Sequence, residues 1–326
     1  MELLKQLYRI YSPSGKERAM RRFIIKEVKK VPDTCIEKDP TGNLYVTKGN
    51  APSYPCIVAH MDQVQGTRST DFIPVETKEV IFGYSPKHRR QENLGADDKN
   101  GIWIALKCLR KYPVLKLAFF VSEEIGCIGS GNARMDFFTD CRFVIEPDRR
   151  GYKDIIPLIG WTVLCSDDFL KATGYENFGY EETEGMLTDV LELKEKGLAV
   201  SSINLSCGYY EPHTPHEFTV KKDLLNCLDL VRHIIGHCTG TYPHTHECTG
   251  NRGRHPDGLC LYEDEYGEAA DEIFNLLDSD DTLSVEDLAY MYGLYFPNLS
   301  QSDFEQIYRD YHELFKLEKP KRFMRW

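Results

Sequence analysis

No apolar run in the 326-residue sequence approaches the about 18 residues that a membrane-spanning helix needs. The opening MELLKQLYRIYS likewise lacks the long apolar segment of a secretory signal peptide. A basic excess is also missing, since 40 Lys+Arg stand against 51 Asp+Glu and the net charge is −11. Because polyanion binders usually carry a basic excess, we expect a cytoplasmic protein that binds neither membrane nor nucleic acid.

Closely spaced cysteine pairs are absent as well. The eleven cysteines are odd in number and scattered, unlike those of small secreted domains, so we expect reduced thiols. The densest group of potential ligands comprises Cys238, His244, His246, Cys248, His255 and Cys260. It matches no standard zinc finger, so a turn-rich junction is favoured over a structural metal site, and both interpretations stay open.

Acidic charge is concentrated in the last quarter of the chain. Residues 251–326 hold 17 Asp+Glu against 8 Lys+Arg, after a turn-rich run at 238–258. Three helical patterns follow, at 266–277, 285–292 and 304–317. We predict two domains, residues 1–240 as the main domain and residues 241–326 as a small, acidic, mainly helical extension.

Two periodicities alternate through the first 240 residues. Four mainly apolar runs have strand length: CIVA (56–59), LAFFV (117–121), RFVI (142–145) and SINLS (202–206). Helical stretches occupy 101–112 and 223–238, and a capping box from Ser14 to Glu17 predicts the start of another helix. Strands that are apolar along their whole length are buried on both faces. The predicted fold class is therefore α/β, with a mostly parallel central sheet flanked by helices.

Each apolar run leads into histidine or carboxylate residues. They are His60 and Asp62, Glu123 and Glu124, Glu146 and Asp148, and, after a short turn, His213. Asp97 lies at the entry to the 101–112 helix, beside Asp98, which we interpret as a helix N-cap. Because the carboxyl ends of parallel strands share one edge of a sheet, we expect the strand-end residues to converge.

Histidine and carboxylate ligands without cysteine suit zinc, with cobalt or manganese as alternatives. Two histidines and at least three carboxylates exceed the needs of one tetrahedral zinc and match two metals that share a carboxylate. The adjacent acids Glu123 and Glu124 allow one to bind metal while the other accepts a proton. The residues alone therefore predict metal-assisted hydrolysis.

Five motifs resemble, in order, those of the co-catalytic dizinc exopeptidases: HMD, LGADDKNG, SEEIG, EPDRRG and YEPHTPHE. This group, clan MH, includes the peptidase T-like tripeptidases and the glutamyl or deblocking aminopeptidases. The resemblance covers about residues 1–235. It implies the zinc exopeptidase fold, of the phosphorylase/hydrolase-like type, and makes residues 1–240 the catalytic domain.

The resemblance also implies a role for each polar residue at the strand ends. Two divalent metals, zinc foremost, would be held by His60, Asp97, Glu124, Asp148 and His213, with Asp97 shared by both. Glu123 would be the general base for a metal-bridging water. Asp62 would accept a hydrogen bond from the ring N–H of His60. His216 is a rival to His213 as the last ligand.

The intervals between the motifs are short. Asp148 and His213 are 65 residues apart, and His60 and Asp97 are 37 residues apart. The related families insert a lid or an extra domain in one of these intervals, so we predict that this chain has no inserted lid domain. The oligomeric state stays open.

The predicted function is that of an aminopeptidase or di/tripeptidase acting on short peptides. Asp189 is a candidate for binding a substrate amine, and Arg149 and Arg150 are candidates for binding a carboxylate. A structural salt bridge is the alternative for Asp189, and solvated charge is the alternative for the arginines. A carboxypeptidase or N-acyl-amino-acid deacylase on the same metals, or a non-catalytic binding protein on a peptidase fold, are the alternative functions.

Overall fold

The computed structural model describes residues 1–245 except residue 67, residue 273, residues 276 and 277, and residues 284–292 and 299–317. The chain divides into two compact units, Met1–Cys248 and Thr249–Trp326. The domain boundary predicted after residue 240 stays a prediction. Most of the Cys/His group that begins at Cys238 lies outside the described residues.

In the described part of the first unit, the strands are β1 (Thr34–Lys38), β2 (Leu44–Lys48), β3 (Tyr54–His60), β4 (Ile73–Glu76), β5 (Val80–Ser85), β6 (Arg90–Gln91), β7 (Leu115–Phe120), β8 (Cys141–Arg149), β9 (Asp154–Ile159), β10 (Thr162–Val163), β11 (Glu181–Glu184), β12 (Ser202–Ser206), β13 (Tyr209–Tyr210) and β14 (Phe218–Val220). The helices are α1 (Glu2–Tyr8), α2 (Arg18–Val28), α3 (Ala96–Lys111), α4 (Ile128–Gly131), α5 (Asp167–Thr173), α6 (Asp189–Glu195) and α7 (Lys221–His237). No helix in the described ranges has both the length and the apolar character that crossing a bilayer requires.

The central sheet has the order β1-β2-β7-β3-β8-β12-β9-β10, with β11 paired to β9. Its four middle strands, β7, β3, β8 and β12, are mutually parallel. These are the four strands predicted from the apolar runs, so the predicted parallel core of the sheet is confirmed. Their carboxyl ends therefore lie at one edge.

Both faces of this sheet are covered, which explains the unbroken apolar runs. Along β3, Ile57 and Ala59 pack in a core with α1, α2, α3 and α7. The alternate residues Cys56 and Val58 pack on the other face with Val190 and Leu193 of α6. Adjacent strand residues point to opposite faces. In a strand that is buried on both faces, apolar residues are therefore favoured at successive positions.

A second, smaller sheet has the order β13-β14-β5-β4, with β6 paired to β5. It joins the interval between His60 and Asp97 to the segment around His213, because β14 pairs antiparallel with β5. The interval between Asp148 and His213 holds β9 to β13 together with α5 and α6. The predicted absence of an inserted lid stays a prediction.

The second unit contains α8 (Val285–Tyr292) and α9 (Gln301–Leu317) among its described residues. Both coincide with helices predicted from the sequence, whereas the helix predicted at 266–277 lies mostly outside the described residues. Leu288 of α8 and Phe304, Ile307 and Tyr311 of α9 form a separate apolar cluster with Ile273 and Leu277.

Candidate metal centre

His60 is the last residue of β3, and its imidazole is buried, with 1% of the side chain exposed. Its Nε2 lies 3.0 Å from Asp97 Oδ1 and 3.4 Å from Asp148 Oδ2. Glu123 Oε2 is 3.8 Å from the same nitrogen. Burial lowers the pKa of His60, but the charges of Asp148 and Glu123 outweigh burial, so the pKa is raised well above its ordinary value. Three acids thus converge on one imidazole nitrogen.

His213 belongs to the loop between β13 and β14 and has a backbone φ of 65°. Its Nε2 lies 2.9 Å from Glu124 Oε2 and 3.3 Å from Asp97 Oδ2. The rival His216 is turned away, with Nδ1 2.7 Å from Gln91 Oε1. The two oxygens of Asp97 therefore approach different histidines, which is the arrangement that a shared ligand requires.

The position of Asp97 is set by its backbone. Glu217 accepts hydrogen bonds from the N–H groups of Gly95 (2.5 Å), Ala96 (2.9 Å) and Asp97 (3.1 Å). Gly95 has a φ of 64°, and a Cβ there would lie 2.2 Å from the buried amine of Lys99. The turn that presents Asp97 is therefore held by one buried carboxylate and requires glycine.

Asp98 serves a different purpose from its neighbour. Asp97 and Asp98 have non-helical dihedrals, so the regular part of α3 begins after them. Asp98 Oδ1 accepts a hydrogen bond from Gly101 N at 2.8 Å. This contact, three residues along the chain, confirms the N-cap interpretation of Asp98.

Asp62 connects His60 to the two glutamates. Its Oδ1 lies 3.4 Å from His60 Nδ1 and accepts from Glu123 N at 3.0 Å, while Oδ2 accepts from Glu124 N at 3.2 Å. Asp62 Oδ2 also accepts from the Ser14 hydroxyl at 2.8 Å. The carboxylate thus faces the imidazole ring and holds the backbone of both glutamates.

The capping box predicted at Ser14 is wrong. Helix α2 begins at Arg18 without a side-chain cap, because Ser14 binds Asp62. Glu17 is buried and accepts hydrogen bonds from the N–H and hydroxyl of Ser122, both at 3.2 Å. Long-range contacts with the segments after β3 and β7 have replaced the serine cap, while Glu17 still accepts locally from Gly15 N at 2.7 Å.

The chemistry of these donors fits divalent cations. Burial raises the pKa of Glu123 and, together with the charge of Asp97, raises the pKa of Glu124 and takes that of Asp148 to about 7. Within the described residues, donor atoms of His60, Asp97 and Glu124 lie within 4.8 Å of one another. Buried acids that destabilise one another around imidazoles are stabilised by a metal ion.

The predicted substrate-binding residues are placed in different surroundings. Asp189 is buried, and neither carboxylate oxygen has a hydrogen-bond donor among the described residues. Burial raises its pKa to about 7, against the opposing effect of the His60 charge. Arg149 instead pairs with Asp154, at 2.9 Å, and Arg150 is exposed.

Two buried supporting residues were not assigned from the sequence. Glu146 accepts hydrogen bonds from the Thr188 hydroxyl (2.7 Å) and from the N–H groups of Asp189 and Val190 (both 3.2 Å), which fixes the start of α6. Lys99 is fully buried and donates to Gln63 Oε1, and burial lowers its pKa. Both belong to recognised motifs, but their partners are distant in sequence and leave no local pattern.

No protein-family model matches the chain. A curated protein of Pyrobaculum aerophilum, described as a hydrolase of LysW-lysine and LysW-ornithine, is 39% identical over 157 residues, or 45% of this chain. The chain spans only 40% of the length of that relative.

Solved structures match over more of the chain. The aminopeptidase PepT of Bacillus cereus has a TM-score of 0.59 at 14% identity, covering 73% of this chain and 97% of its own. This is the exopeptidase fold of the tripeptidases and TET aminopeptidases. A Staphylococcus aureus tripeptidase (TM-score 0.55, 14% identity, 72% and 96% coverage) and the Pyrococcus horikoshii TET1 peptidase (0.52, 17%, 72% and 98%) share it. The exopeptidase fold predicted from the five motifs is thereby confirmed.

Proposed function

We propose that the protein is a metal-dependent amide hydrolase, an exopeptidase that removes the N-terminal residue of short peptides. The observation that carries the proposal is the placement of Asp97, with Oδ1 3.0 Å from His60 and Oδ2 3.3 Å from His213. The exopeptidase fold and the Pyrobaculum relative, a hydrolase by its description, support it. The presence of every ligand candidate and of Glu123 disfavours a purely binding role.

In this proposal two divalent ions, zinc foremost and cobalt or manganese as alternatives, share the centre. His60 and Asp148 hold one, Glu124 and His213 hold the other, and Asp97 binds both. Such ions supply Lewis acidity to the scissile carbonyl and lower the pKa of water. The donor set of two imidazoles and three carboxylates is typical of these metals.

Glu123 is the proposed general base. It accepts a proton from the attacking water and then delivers that proton to the leaving amine nitrogen. Its buried surroundings raise the pKa of the carboxyl, which suits a group that must hold a proton between the two steps. Asp62 keeps His60 and the Glu123 backbone in fixed positions relative to each other during the reaction.

The surroundings of the candidate substrate residues favour an aminopeptidase. Asp189 has an unpaired carboxylate for a substrate ammonium group, whereas the guanidinium of Arg149 is paired with Asp154. An N-acyl-amino-acid deacylase on the same metals stays one alternative. A carboxypeptidase on the same metals is the other alternative.

A tripeptide panel tests the proposal. Zinc- or cobalt-loaded protein is given each peptide free, N-acetylated and C-amidated, and products are identified by mass spectrometry. Cleavage abolished by N-acetylation alone supports an aminopeptidase, and cleavage abolished by C-amidation alone supports a carboxypeptidase. An N-acetylated amino acid is added to the panel, and cleavage of that substrate alone supports the deacylase. Metal-loaded protein that cuts none of these substrates contradicts the proposal.

A further inference from the structure

The two oxygens of Glu123 have different neighbours. Oε2 lies 3.8 Å from His60 Nε2, on the side of the candidate metal centre. Oε1 lies 3.5 Å from the thiol of Cys127, which donates to it. One oxygen of the proposed base therefore faces the reaction and the other faces a thiol.

The backbone turns the Cys127 thiol inward. Cys127 has a φ of 49°, and its N–H donates to Glu123 O at 2.8 Å. Its side chain is buried, whereas Ile125 and Ile128 on either side are 52% and 43% exposed. The two isoleucines, which are larger and more apolar, face solvent, whereas the thiol is buried. Apolar packing alone therefore does not explain why position 127 is a cysteine.

The sulfur keeps its proton in this environment. Burial, followed by the negative charges of Glu123 and Asp189, raises the pKa of the Cys127 thiol. A protonated thiol is a weak hydrogen-bond donor, and a carboxylate is a strong acceptor. Both the chemistry of the groups and their distance therefore identify the Cys127 thiol as the donor and the Glu123 carboxylate as the acceptor.

We propose that Cys127 is a positioning residue for Glu123: its S–H group holds Oε1 and so directs Oε2 toward the attacking water. This inference rests on the proposed function, in which Glu123 is the base. The thiol takes no part in bond making or breaking.

Paired substitutions test the role in catalysis. In Cys127→Ala we expect kcat to fall about 3- to 10-fold, as loss of one hydrogen bond implies, with KM and metal content unchanged. Cys127→Ser keeps a donor and is expected to restore most of kcat. Cys165→Ala, at another buried cysteine, is the matched control. A Cys127→Ala enzyme with the wild-type kcat, or a serine variant as slow as the alanine variant, overturns the proposal.

Infrared spectroscopy measures the hydrogen bond between Cys127 and Glu123 independently of catalytic activity. The difference between wild type and Cys127→Ser isolates the S–H stretching band of Cys127. We expect this band at a lower frequency in the wild type than in Glu123→Ala, because the hydrogen bond weakens the S–H bond. Equal frequencies overturn the inference even if the enzyme is active. A shifted band in a protein that cleaves no amide instead overturns the proposed function and leaves the contact standing.

Discussion

Glu217 accepts a hydrogen bond from the backbone N–H of Asp97, although 120 residues separate them. Glu217 follows His213 by four residues, so this one side chain ties the His213 loop to the turn that presents Asp97. This geometry explains the spacing His-xxx-Glu, because the histidine contacts the Asp97 carboxylate and the glutamate accepts from the Asp97 backbone N–H.

Removing the Glu217 carboxylate should destabilise this turn. Glu217→Ala leaves the buried N–H groups of Gly95, Ala96 and Asp97 without their acceptor, and we expect a loss of roughly 2–4 kcal/mol in the free energy of unfolding. Glu217→Gln keeps one oxygen and should lose less. Urea denaturation measures both, with the exposed Glu211→Ala as control. Equal stability of the Glu217→Ala and Glu211→Ala variants would contradict the role of Glu217.

Glu123→Gln should separate proton transfer from metal binding. We expect kcat to fall by roughly 10²–10⁴-fold, because the amide cannot accept the proton, with metal content unchanged. Glu124→Gln, one residue along, should instead reduce metal content, since Glu124 lies against His213. Kinetics combined with elemental analysis distinguishes the two variants. Normal turnover by Glu123→Gln would exclude it as the base.

Asp97→Asn should reduce metal occupancy at both positions, because the carboxylate approaches both histidines. Asp98→Asn is the matched control, since asparagine caps a helix about as well as aspartate does. Elemental analysis after dialysis against limiting zinc measures the effect. Two zinc ions retained per chain in Asp97→Asn would exclude a shared ligand.

Lys194 should make the free energy of unfolding depend on pH in the alkaline range. Burial lowers its pKa to about 8, and its amine donates to the carbonyls of Leu198 and Val200. Unfolded Lys194, with a pKa near 10.5, binds more protons between pH 8 and 10.5, so its contribution to the free energy of unfolding rises with pH there, by at most roughly 3 kcal/mol.

The pH profile of Lys194→Met should differ from the wild-type profile by the loss of this contribution, whereas the exposed Lys196→Met should keep it. Chemical denaturation at pH 8, 9 and 10 supplies the comparison. Parallel pH profiles for the wild type and Lys194→Met would show that Lys194 is not responsible.

The central sheet could be predicted because its pattern is local. Strands β3, β7 and β12 are buried at every position, and a continuous apolar run followed by a polar residue shows both the strand and its end. The convergence of His60, Glu124 and Asp148 then follows from parallel strands with a shared edge, whereas Asp97 and His213 are placed by the turn before α3 and by the second sheet.

What could not be predicted depends on contacts between distant segments. Ser14 has the local pattern of a helix cap, yet its hydroxyl binds Asp62, 48 residues away. The contact of Cys127 with Glu123 depends on a left-handed residue, which nothing in the sequence specifies. Backbone conformation and long-range hydrogen bonds decide these positions, and single-sequence patterns report neither.

The two histidines differ in their access to solvent, and this difference bears on how the centre fills. His60 is 1% exposed at the end of a strand between two neighbours, whereas His213 is 52% exposed on a loop. In the proposed two-metal centre, an ion held by His213 would leave after a movement of that loop, whereas an ion held by His60 would have to pass the end of β3. We therefore expect unequal dissociation rates, with chelators removing one ion per chain quickly and the other slowly.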